Sequence, residues 1–72
     1  MGNYSKGDKV SWKWGNGHAQ GKVKETFTKS VTRTLQGSEV TRNGSEDDPA
    51  LLIEQDDGDK VLKLESEVQK SS

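Results

Sequence analysis

The chain has 72 residues, no cysteine and a formal net charge of −1, with 26% hydrophobic and 32% charged residues. That size makes one domain, and the lack of cysteine excludes disulfide staples and thiolate zinc sites as sources of stability. No apolar stretch is long enough to span a bilayer or to serve as a signal peptide, so a cytoplasmic location is expected.

In chain order, residues 1–6 read as a lead-in, with Tyr4 folding back over the end of the domain and Gly7-Asp8 as a turn. Val10, Trp12 and Trp14 then alternate with Ser11 and Lys13, the period of a half-buried strand. Asn16-Gly17 supplies the two residues that most readily take positive φ, which predicts a tight hairpin turn there. A long second strand follows from about Ala19 to Thr28, with Ala19, Gly21, Val23, Glu25 and Phe27 on one parity. Glu25 interrupts that inward row, which predicts a bulge or bend near Gly21 or Glu25 that turns the charge outward. Gly21 is expected where two backbones approach closely.

Ser30 to Leu35 is β-branched and alternating, a third strand, and Gln36-Gly37-Ser38 turns into a short strand over residues 39–42. Residues 43–49, NGSEDDP, form the longest loop, where Ser45 and Asp48 are spaced to cap one helical turn. Leu51-Leu52-Ile53 is a continuous apolar run, the mark of a strand buried on both sides or of a barrel corner. Asp56-Asp57-Gly58-Asp59 turns the chain into a last strand carrying Val61, Leu62 and Leu64, and Glu65 to Ser72 is expected to fray. About five short strands at regular spacing predict an all-β, small SH3-like or Tudor-like barrel. It forms one domain over residues 1–72, with its core at about 5–67 and a polar tail at 68–72.

The near-zero net charge is a cancellation. Residues 1–36 hold seven Lys/Arg against two carboxylates, and residues 37–72 hold four against ten. If the two halves take different faces, the molecule is electrically polar; if not, mixed charge simply keeps a weakly hydrophobic domain in solution.

Two blocks carry a family resemblance: KGDKVSWKWGNGHAQGKV at 6–23 and EVTRNGSEDDPALLIEQDDGDKVLKLESE at 39–67. Trp12 and Trp14 followed by Gly15, Gly17 and Gly21, then Val40-Thr41-Arg42, Asp48-Pro49-Ala50, Ile53-Glu54 and Asp57-Gly58 before Val61-Leu62-Lys63, resemble the hypervirulence-associated Tudor-like domain family of small bacterial proteins. The resemblance covers nearly the whole chain and implies a Tudor/SH3-like barrel. It brings no established functional residues with it.

Trp12 and Trp14 share a strand face, and with Tyr4 or Phe27 they are the material for an aromatic cage around a methylated ammonium. Four aromatic residues must also build the core, so the stronger expectation is one tryptophan in the core and the other at an edge or partner site. Lys13, Lys22, Lys24 and Lys29 define a nucleic-acid alternative, similar to the KOW-type element of ribosome and transcription proteins. The bland reading makes these lysines the solvated face of half-buried strands. The acidic runs at 46–48 and 56–59 fall short of an EF-hand spacing, so no metal or other cofactor is expected. His18 is the only histidine and stands beside a turn without an organised partner, so an enzyme is not expected. Arg42 is expected to pair with Glu54 across strands.

The leading expectation is therefore a monomeric, non-enzymatic adaptor that binds a protein through Trp12, Trp14 and Tyr4. Binding of RNA or DNA through Lys13, Lys22, Lys24 and Lys29 is the alternative, and an oligomer built by strand pairing is a third.

Overall fold

The computed structural model describes residues 4–71; residues 1–3 of the expected lead-in, and Ser72, lie outside them. Seven strands and one 3-10 turn follow in order: β1 (Lys9–Trp14), β2 (Gly17–Phe27), β3 (Ser30–Leu35), β4 (Ser38–Asn43), β5 (Ala50–Gln55), β6 (Lys60–Leu64), the turn Glu65–Glu67 and β7 (Gln69–Lys70). The all-β expectation holds, but the closed barrel does not. Five strands form one open sheet in the order β6-β5-β2-β1-β7, and β3 pairs only with β4 in a separate two-stranded sheet. The chain bends at Thr28-Lys29 directly after β2, and β3 departs without forming a ladder beside it. Alternation in a sequence marks strands but does not say which edges meet, and here the edges that would close a barrel stay apart.

The sheets pack through side chains instead, and β5, between β6 and β2, has Ala50 to Ile53 buried. Alternate residues serve opposite faces. Leu51 and Ile53 join Val10, Trp12 and Val23 in one core, with Tyr4, Ala19, Val61 and Val68 packed around it. Ala50 and Leu52 join Leu62 and Val31 in a second core beneath the β3–β4 hairpin, with Phe27, Leu35, Val40 and Leu64 at its margin. Burying each of the valine, leucine and isoleucine side chains contributes about 1.5–3 kcal/mol, which is why a chain this polar still folds.

The expected bulge is present, with the register of β2 on β5 shifting between Val23 and Glu25. It divides the inward row between the two cores. Val23 pairs with Ile53 on the first face, whereas Glu25 and Phe27 pair with Leu52 and Ala50 on the second. Glu25 is thereby exposed, with Arg33 3.8 Å away. Gly21 is needed for close approach, since a Cβ there would stand 2.5 Å from the Glu54 carbonyl oxygen.

Three local expectations need correction. The first hairpin turns at Gly15-Asn16 rather than Asn16-Gly17, because Gly17 already pairs with Trp14. Gly15 has φ +55°, the glycine-first pattern of a II′ turn. Arg42 bonds Glu67 at 3.2 Å, while Glu54 is held by Lys24 at 3.3 Å and Lys60 at 3.8 Å. Finally, the end of the chain is built into the sheet. Val68 packs on the first core, β7 pairs with Val10 and Ser11, and the Ser71 N–H donates to the Lys9 carbonyl at 2.9 Å.

Residues 44–49 form the long loop without a helical turn, Asn43 being the last residue of β4. The Ser45 hydroxyl accepts the Asp48 N–H at 3.1 Å, and the Asp48 carboxylate accepts both the N–H and the hydroxyl of Ser66 at 2.9 and 2.8 Å. The loop is thus tied to the 3-10 turn, where the Glu65 side chain, 7% exposed, accepts the Tyr4 N–H at 3.1 Å. No helix among the described residues is long and apolar enough to cross a membrane.

A groove ringed by three hairpin turns

The β1–β2 hairpin outruns the sheet that supports it. β5 pairs with β2 only from Gly21 onward, and β7 pairs with β1 only at Val10 and Ser11. Beyond those points the hairpin is two strands wide. Trp12, opposite Ala19, still reaches the core and is 4% exposed. Trp14, opposite Gly17, has no cross-strand side chain beside it and is 72% exposed, the one large hydrophobic residue so exposed among those described.

Trp14 borders a groove of about 340 Å³ whose floor is Trp12, Ala19 and Val61 and whose polar rim is Gln36, Gln55, Asp59 and Lys63. Three turns bring these together. The β3–β4 hairpin turns on Gln36 and Gly37, both with positive φ (51° and 79°), the pattern of a I′ turn. Gln36 is the only described non-glycine residue in that region, where a Cβ costs about 1–2 kcal/mol. The β5–β6 turn is fixed by the Gln55 N–H donating to the Asp59 carbonyl at 2.7 Å and by the Asp59 N–H donating to Asp57 Oδ1 at 3.0 Å. Neither the Asp59 carboxylate nor the Lys63 ammonium has an ion-pair partner among the described residues. The groove therefore offers an open indole, an apolar floor, two carboxamides and one charge of each sign.

The residues singled out in the sequence do not gather into one site. Tyr4 packs against the far part of the first core, where Lys70 stands 5.7 Å from its ring, and it lines a different recess with Asp47, Asp48, Glu65 and Ser66. Phe27 belongs to the second core, with the Arg33 guanidinium 5.0 Å from its ring centre. Among the described residues no aromatic cage is assembled, because Trp12 and Trp14 meet at the groove while Tyr4 and Phe27 pack elsewhere. Of the lysines, Lys13 and Lys22 project from the outer face of the β1–β2 hairpin, away from the groove, since their cross-strand partners His18 and Lys9 share that face. Lys24 stands in the bulge and bonds Glu54, and Lys29 lies in the bend after β2. Among the described residues no cluster of three or more His, Cys, Asp or Glu side chains is placed to hold a metal ion.

Sequence reasoning missed Gln36, Gln55, Asp59 and Lys63. Their turns were legible, but the meeting of three turns at one end of the molecule is a property of the packed sheets.

No curated protein and no solved structure matches this chain. The model of one family does match, over residues 7–68, which takes in six of the seven strands and the whole of the groove, and the chain accordingly belongs to the hypervirulence associated proteins TUDOR domain family.

Proposed function

We propose that this Tudor-domain chain is a non-enzymatic adaptor that binds a protein partner at its Trp14 end, through the groove the three turns surround. The observation that carries the reading is the exposure of Trp14 on a projecting hairpin beside an apolar floor and a polar rim. A large indole surrounded by such a rim is the arrangement that dominates the energetics of protein interfaces. Turns on a rigid sheet scaffold are also where binding residues concentrate. Trp14 supplies the contact, Trp12 supports it from the core, and Tyr4 takes no part.

Capture of partners from cell extract by the wild type and by Trp14→Ala tests this reading, with captured partners then mapped by NMR. Partners lost on Trp14→Ala, and shifts centred on Trp14, Gln36 and Gln55, are the expected result. Partners retained by that variant, or shifts that leave the indole unmoved, would remove the groove from consideration.

A further inference from the structure

The face of the β1–β2 hairpin opposite Trp14 carries a second feature, independent of the groove. Its cross-strand pairs are Lys9 with Lys22, Ser11 with Gln20 and Lys13 with His18. Directly opposed residues have Cβ atoms about 4.5–5.5 Å apart, and like charges placed so are destabilising. Lys9, Lys13 and Lys22 are exposed, and none has an ion-pair partner among the described residues. Glu54, which faces Lys22 from β5, is already shared by Lys24 and Lys60. Asp56 lines a small recess with Lys9, Gln20, Gly21 and Lys22. A directly opposed lysine pair without an ion pair of its own is a cost that a bound anion would lower.

We infer that this outer face, through Lys9, Lys13 and Lys22 with Gln20 and His18 between and beside them, is a docking surface for the phosphate backbone of a nucleic acid. Two features select a nucleic acid over an acidic protein. The six side chains include no apolar one, so the face lacks the apolar centre of a protein interface. Phosphate contacts need only cations and hydrogen-bond donors. The two cationic rows also stand four residues apart, about 13 Å along a strand, which spans roughly four nucleotide steps. With no Trp, Tyr or Phe on this face to stack on a base, the binding is weak, independent of sequence and strongly salt-dependent.

Fluorescence anisotropy of a labelled mixed-sequence duplex and single strand, titrated with the full chain from about 20 mM salt upward, tests this directly. Three neutralised phosphates predict a slope of about −2.7 in log affinity against log salt for the duplex. The Lys9→Gln, Lys22→Gln double variant should bind at least about tenfold more weakly at low salt and lose roughly two units of that slope. Its thermal midpoint should not fall, since a like-charge pair has been removed. Trp14→Ala and Lys29→Gln should leave binding unchanged, so that failure of this inference and failure of the groove reading are separately visible. No binding at low salt, an unchanged slope in the double variant, equal weakening by Lys29→Gln, or equally tight binding of a charge-matched poly-glutamate would overturn it.

Discussion

Trp12 and Trp14 stand two residues apart on the same face of one strand, and the molecule treats them in opposite ways. Trp12 stands just past the last residues that β7 and β5 pair, Ser11 and Gly21, and its indole is buried in the first core with Val10, Val23, Leu51 and Ile53. Around Trp14 both neighbouring strands have ended, the cross-strand partner is a glycine, and the indole faces solvent. The residue type and strand geometry are shared, so the difference comes from how far each indole stands from the last residues the supporting strands pair. A candidate site thus arises where the sheet runs out, on a hairpin anchored by its buried half.

Removing the buried indole gives the largest expected effect. Trp12→Ala should cost about 3–5 kcal/mol, comparable to the whole stability of a domain this small, and urea denaturation should find the variant largely unfolded. A folded Trp12→Ala protein with near-native stability would erase the contrast between the two tryptophans. Gly21→Ala tests the supported half from the backbone side. Its Cβ meets a main-chain oxygen that cannot move aside, and a loss of about 1–3 kcal/mol is expected in the same measurement.

The open end should respond differently. Gln36→Gly relieves a left-handed backbone conformation and should stabilise the domain by up to about 1 kcal/mol, offset in part by the greater freedom of glycine in the unfolded chain. If Gln36 serves the groove, the same change weakens partner binding while raising the denaturation midpoint. A gain in stability with no loss of binding would make the turn a mere connector. Smallest of all, Trp14→Ala should change stability by no more than about 0.5 kcal/mol, because the indole is mostly in water.

The supported half was largely legible in the sequence. Alternation located the strands, the glycine at position 21 announced close backbone approach, Glu25 announced the bulge, and the unbroken Leu51-Leu52-Ile53 run announced a strand with two buried faces. Each of these is a local signal with a single physical cause. What escaped depends on distant partners. Closure into a barrel turned on whether β3 would continue beside β2. The choice of Glu67 over Glu54 by Arg42 turned on where the 3-10 turn brings its carboxylates. Gln69 and Lys70 are polar, which in a sequence marks a fraying tail, yet they need only main-chain groups to pair with β1. The first turn is ambiguous by one residue in the sequence, since glycines at positions 15 and 17 both flank Asn16, and pairing of Trp14 with Gly17 decides between them. The groove was the least legible feature, being assembled from three turns far apart in the chain.

The most direct test follows the two indole N–H signals in a ¹⁵N-edited NMR spectrum as a captured protein partner is added. The Trp14 signal is expected to shift or broaden together with the side-chain amides of Gln36 and Gln55, and by more than the signal of the buried Trp12. A stationary Trp14 signal, with the perturbed residues gathered elsewhere on the sheet, would contradict the assignment of this end of the molecule as the binding surface.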